Sequence, residues 1–205
     1  GQVWILNPAG VLVGSSGQVN VAGFVATTLA ISDTDFNGGA GAFTLSGTSG
    51  ASVVNQGTII ADSGYAVLAG DRVENAGLVQ AQLGTVAFGS GQNITLSFSN
   101  DKLISFAVSQ PATAADRGIV NLGTGQVVAN GGRVFMTART ASDAVASIIN
   151  NDGLVQARSV ALINGEIVLD GGESGNVNVG GTLDARGDDS AEIGGKIVVT
   201  GAEVN

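Results

Sequence analysis

Three pairs of carboxylates lie close enough in the sequence for shared acid–base work: Asp33 with Asp35, Asp170 with Glu173, and Asp188 with Asp189. Glycoside hydrolysis needs two such groups about 5 to 10 Å apart across a groove, usually beside aromatic platforms for the sugar. Aromatic residues make up only 4% of the chain, and no acidic pair has several of them nearby. The pairs are therefore read as solvated turn and loop residues. There is no His and no Cys, which removes imidazole and thiol nucleophiles, the Ser-His-Asp triad, haem ligation through His and the usual zinc sites. Gly38 to Ala42 and Gly171 to Asn176 have the glycine content of calcium-binding nonapeptide repeats but lack the Asp ligands. No phosphate-binding or dinucleotide-binding loop is present, so neither an enzyme nor a cofactor is expected.

The charge balance narrows the partners. Eight basic residues against 17 acidic ones give a net charge of −9 over 205 residues, the opposite of the basic footprint that nucleic acid requires. No stretch reaches the roughly 18 apolar residues of a membrane-spanning helix, so no membrane insertion is expected. The absence of Cys suits passage through an oxidising periplasm, where stray disulfides would trap a chain. Residue 1 is Gly with no signal-like segment after it, which places any export signal upstream.

The elements available to position these residues are strands. Gly and β-branched residues interrupt every helical spacing, whereas short alternations such as Gln18 to Val21 and Asn176 to Val179 recur. Five segments share the pattern G-x-[VIL]-x-A, beginning at Gly57, Gly77, Gly125, Gly153 and Gly181, with spacings of 20, 48, 28 and 28 residues. The 48 implies two coils, or one coil with an insertion. Within each segment the aliphatic and Ala positions share a face and point inward, while Gln80, Gln156 and Asp184 face water. Such units cannot bury a face alone, and stacking them about 4.8 Å apart gives a continuous core. The chain is therefore expected to be all-β, a right-handed parallel β-helix with extra-helical β-hairpin insertions.

Details follow from that frame. The Gly that opens each repeat is expected to supply turn freedom, and Asn55, Asn75 and Asn151 to occupy left-handed corners and form amide ladders. The column after the repeat Ala reads Asp62, Gln82, Asn130, Arg158, Arg186, a mixed solvated ladder without the Arg and Asp constellation of a polysaccharide lyase. Leu29 to Gly50 reads as an insertion leaving the coil. Ile94 to Phe98 and Leu103 to Val108 form an antiparallel hairpin around Ser99 to Lys102, covering a flank. Gln110 to Arg117 reads as a loop, and Ile197 to Asn205 as the opening of another coil.

The opening Gly1-Gln2-Val3-Trp4-Ile5-Leu6-Asn7-Pro8-Ala9-Gly10-Val11-Leu12-Val13-Gly14, followed by Val19 to Leu29, Ile31 to Phe36 and Val53 to Ile59, resembles the haemagglutination-activity (two-partner secretion) domain of filamentous haemagglutinin-like exoproteins. The resemblance covers residues 1 to 110, and residues 111 to 205 match as continuing β-helix shaft repeats. It implies a right-handed parallel β-helix at the secretion end of a large surface-exposed or released adhesin. It also implies an outer-membrane β-barrel transporter whose periplasmic domains recognise this region. Ala9 stands where the family has the second Asn of Asn-Pro-Asn-Gly, and this sequence lacks the more N-terminal Asn-Pro-Asn-Leu segment and the cap that precede this point in relatives. Asn7, Pro8 and Gly10 are the candidate transporter-contact residues. They also make a sound turn between strands at Trp4 and Val11, and either role satisfies the sequence. Trp4 is read as a packing residue.

The reading is thus the secretion domain and first shaft coils of an exported bacterial adhesin that templates its own folding. Contact with a host-cell or matrix surface is expected from later parts of the full protein. A carbohydrate-active β-helix enzyme and an autotransporter shaft are the alternatives.

Overall fold

The computed structural model describes all residues except 39–40, 101, 113–116, 141–146 and 188–191. Asp188 and Asp189, the middle of the Gly38 to Ala42 run, Asp101 of the Ser99 to Lys102 segment and the centre of the Gln110 to Arg117 segment lie outside the described residues.

The strands follow one another around an axis, three to a coil. The first coil holds β1 (Gln2–Leu6), β2 (Val11–Val13) and β3 (Gln18–Asn20). The second begins with β4 (Gly23–Thr27), leaves the stack through β5 (Ala30–Ile31), α1 (Asp33–Asn37) and β6 (Ala42–Ser46), and resumes with β7 (Ser52–Asn55) and β8 (Thr58–Ile60). The third is β9 (Tyr65–Gly70), β10 (Arg72–Asn75) and β11 (Leu78–Gln80). The fourth opens with β12 (Thr85–Ser90), sends out β13 (Asn93–Ser99) and β14 (Lys102–Gln110), and closes with β15 (Gly118–Asn121) and β16 (Gln126–Val128). The fifth is β17 (Arg133–Ala138), β18 (Ser147–Asn151) and β19 (Leu154–Gln156); the sixth is β20 (Glu166–Asp170), β21 (Asn176–Val179) and β22 (Thr182–Asp184). A seventh starts with β23 (Lys196–Thr200), and Val204 bridges back to Val177.

Corresponding strands stack in parallel. The three sheets run β1-β4-β9-β12-β17-β20-β23, β2-β7-β10-β15-β18-β21 and β3-β8-β11-β16-β19-β22. This is a parallel β-helix. The spacing of 48 is one coil plus an insertion, because β11 pairs directly with β16, Leu78 on Gln126. The inward aliphatic column Ile59, Val79, Val127, Val155 and the Ala column Ala61, Ala81, Ala129, Ala157 are wholly buried. They fill the interior together with Phe24, Leu68, Phe88, Met136 and Leu169.

Both insertions join one extra-helical sheet, ordered β14-β13-β6-β5 and antiparallel throughout. It lies on the outer face of the first sheet, where Leu45, Ile94, Leu96, Leu103 and Val108 pack against Val25, Val67, Ala69 and Ala87. This is why β9 and β12 are buried on both faces, while β20, beyond the cover, alternates.

Four expectations are corrected. The asparagines do not occupy left-handed corners: the non-glycine residues with positive φ are Ser63, Leu83, Asn100 and Ala161 among the described residues, and Asn55, Asn75 and Asn151 end extended strands. The repeat glycines also keep negative φ. They are required because a Cβ on Gly77 would lie 2.1 Å from the Gly57 carbonyl oxygen below it, and one on Gly181 2.1 Å from that of Gly153. Asp184 is buried rather than facing water, because Arg158 and Arg186 close over it at 2.9 and 3.0 Å. Finally, α1 is a helix of five residues, capped by Ser32, whose hydroxyl accepts from Asp35 N at 3.0 Å.

Candidate functional site

The sequence-predicted contact residues form one exposed corner between β1 and β2. Asn7 is placed by its backbone N–H donating to the Thr27 carbonyl at 2.9 Å, which continues the β1–β4 ladder. Its Oδ1 then accepts from Ala9 N at 3.1 Å, and its carbonyl accepts from Gly10 N at 3.0 Å. Asn thus supplies both the side-chain and the main-chain acceptor of a tight turn. Gly10 has φ +109°, a conformation that side chains disfavour, and a Cβ there would meet Ser52 O at 3.2 Å. The corner is tied down from outside as well: the Ser49 hydroxyl donates to the Pro8 carbonyl at 2.6 Å. Asn7, Pro8 and Ala9 remain exposed. The structure therefore brings Asn7, Pro8 and Gly10 together on a held, solvent-facing turn.

β1 presents two different faces. Val3 and Ile5 lie over Phe24 and Ala26 of the interior. Trp4 and Leu6 point outward, over Val25 and Thr27, toward the extra-helical sheet. There Gln2, Trp4, Leu6, Phe36, Phe43, Tyr65 and Phe98 line a cleft of about 780 Å³. Trp4 packs edge-on to Phe43 with ring centres 5.1 Å apart, and Tyr65 lies 4.8 Å from Phe98. The Trp4 indole N–H donates to the Tyr65 hydroxyl at 3.0 Å, which donates onward to Gln2 Oε1 at 2.9 Å. Trp4 is a half-buried packing residue, as its sequence context implied. The aromatic cluster itself was not visible in the sequence, because Trp4, Phe43, Tyr65 and Phe98 come from four separate strands.

Asp35, Asp170 and Asp184 are engaged in structural contacts. Asp33 and Asp35 sit in the first turn of α1, with Asp35 Oδ2 accepting from the Ser32 hydroxyl at 2.7 Å. Asp170 binds Arg139 at 2.6 Å and accepts from Gly172 N and the Thr200 hydroxyl. Burial alone would raise its carboxyl, but these hydrogen bonds and the Arg139 charge outweigh burial and hold it below the ordinary value. Asp184 behaves alike: burial raises it, while hydrogen bonds from Arg186 and Arg158 win and hold it low. Both are stable anions rather than acids poised to donate. The column after the repeat Ala stacks in register, with Ser63 N, Leu83 N, Gly131 N and Ser159 N donating to the carbonyls of Gln82, Asn130, Arg158 and Arg186. Among the described residues, no three His, Cys, Asp or Glu are grouped to hold a metal.

A parallel coil stack with one antiparallel flank sheet and an exposed Asn-Pro-x-Gly corner places the chain among the parallel β-helical proteins. The chain belongs to the TPS secretion domain family, matched over residues 1–185. It is 30% identical over 177 residues to the heme/hemopexin-binding protein of Haemophilus influenzae, covering 82% of this chain and 19% of that protein. It also matches the crystal structure of the HMW1 secretion domain from Haemophilus influenzae, with a TM-score of 0.76 and 28% identity, over 100% of this chain and 51% of that one. The chain thus spans about half, or less, of the length of these relatives. Family membership makes it part of a two-partner secretion exoprotein, exported through the periplasm to the cell surface or beyond it. No helix among the described residues is long and apolar enough to cross a membrane.

Proposed function

We propose that this chain is the secretion domain and first shaft coils of a large adhesin, recognised by the periplasmic domains of an outer-membrane β-barrel transporter. Its role is non-enzymatic: it is recognised, and it then serves as the template on which later coils stack. The observation that carries this reading is the exposed Asn7-Pro8-Ala9-Gly10 corner, held by Asn7, Thr27 and Ser49 and so presented in one fixed shape. Asn7, Pro8 and Gly10 are the residues we assign to transporter contact.

Residues 1–110 form the recognition part and 111–205 the shaft. This division is supported by the extra-helical sheet, whose last strand ends at Gln110. Templating is supported by the sheets themselves, since each coil offers the next a row of parallel hydrogen-bonding partners. Contact with a host-cell or matrix surface belongs to later parts of the full protein.

Export of the full exoprotein from a Gram-negative host, with and without the candidate transporter, tests the reading. Appearance in the medium only with the transporter is expected, and equal export without it would overturn the proposal. Asn7→Ala and Pro8→Ala are then expected to lower export while leaving the β-sheet circular dichroism unchanged. Full export by both variants would reduce the corner to a connection between strands.

A further inference from the structure

Asn55, Asn75, Asn121 and Asn151 stand one above another inside the stack, each fully buried, at paired positions of β7, β10, β15 and β18. Each side-chain Nδ2 donates to the Oδ1 of the next, at 2.8, 2.8 and 2.7 Å. The direction is fixed by main-chain acceptors: Nδ2 of Asn55 also reaches Leu78 O, that of Asn75 Gln126 O, and that of Asn121 Leu154 O. A carbonyl can accept only from the nitrogen end of the amide. The column is therefore polarised toward the later coils, and it ends in aliphatic residues, Val13 below Asn55 and Val179 above Asn151.

We propose that this buried asparagine column is a register key, selecting the one pairing in which each coil settles on the coil before it. The strands concerned have four or five residues and nearly interchangeable aliphatic positions, such as Val73 on Ile119. A slip of two residues would keep the inward alternation, so hydrophobic pattern alone does not forbid it. Such a slip, with Arg72 opposite Val120, would set Val73 against Asn121 and leave buried amides without partners. The fourth coil shows the key at work. Gly125 follows Asn121 by four residues, whereas Gly57, Gly77 and Gly153 follow their asparagines by two. The two extra residues are taken up in a turn closed by Gly125 N on Leu122 O at 2.7 Å, and Asn121 stays in line. The inference deepens the templating reading and rests on it for its role in export. It is tested on the purified chain, so its failure and that of transporter recognition are separate results.

The chain has no Cys, so introduced pairs report register directly. Glu74 and Val120 face each other on the outer side of β10 and β15, and Glu74→Cys with Val120→Cys traps the native register. Arg72→Cys with Val120→Cys traps a slip of two, since in the native register those positions are about 8 Å apart, too far for a disulfide. In the parent chain only the first pair oxidises. Replacing all four asparagines by Val makes the column uniform with Val13 and Val179. The slipped cross-link is then expected to rise about tenfold or more, and a folded variant that forms only the native cross-link would overturn the proposal. Should the fourfold variant fail to fold, Val73→Asn with Asn75→Val moves one rung back by two residues. Dominance of the slipped cross-link is then expected, and its absence overturns the proposal.

Discussion

The indole N–H of Trp4 and the hydroxyl of Tyr65 meet at 3.0 Å although 61 residues separate them. The bond ties the outer face of the first coil to the third. Tyr65 is 1% exposed and its ring faces Phe98 of the extra-helical sheet, so one side chain links the third coil, the flank and the first strand.

Tyr65→Phe keeps the ring and removes the hydroxyl's bonds to Trp4 and Gln2. It is expected to lower stability by about 1 kcal/mol and to shift the fluorescence of Trp4, the one Trp of the chain, toward shorter wavelength. Denaturant melts followed by that emission check both effects.

Gly77→Ala would place a Cβ 2.1 Å from the carbonyl oxygen of Gly57. Backbone cannot yield as a side-chain tip does, so a loss of about 1 to 3 kcal/mol is expected. Gly50→Ala, where nothing lies within 4 Å, is expected to be close to neutral in the same thermal melts.

Much of this arrangement was legible because it repeats. The G-x-[VIL]-x-A pattern carries both the inward column and the close-approach glycines, although the glycines act through contact rather than through left-handed backbone. Three rungs of the asparagine column were legible at a constant offset from Gly, and Asn121 was not, because two inserted residues break the offset. The helix α1 was missed: only the Ser32 and Asp35 cap signals it, and the chain around it is otherwise poor in helix formers. The aromatic cleft was invisible for a deeper reason. Its members alternate on separate strands, and only the folding of the flank sheet over β1 brings them together.

Asp184 offers a test by pH. Its folded carboxyl lies below the ordinary value of 3.8 because of Arg158 and Arg186. Its contribution is therefore present above about pH 4 and is lost as pH falls through the lowered folded value. Asp184→Asn is expected to cost about 1 to 3 kcal/mol at pH 7, with the gap to the parent narrowing below pH 4. Urea melts at pH 7, 4 and 3 check the sign.

Arg133 joins the flank to the shaft. Its Nη2 donates to the Leu103 carbonyl at 3.0 Å and its guanidinium lies 5.4 Å from the centre of the Phe135 ring. Arg133→Met keeps most of the stem packing and removes the donor. Faster amide exchange in β14 is expected, with exchange in β9 unchanged.

The stacking geometry also has a consequence for length. From Gly57 to Gly77 one turn of the solenoid consumes 20 residues, about 70 Å of fully extended chain. It adds only about 4.8 Å to the height of the stack. Each turn that closes therefore shortens its own segment more than tenfold along the axis. A thread emerging from a pore and winding onto such a stack is reeled in, and the closing of each coil takes up the slack of the next.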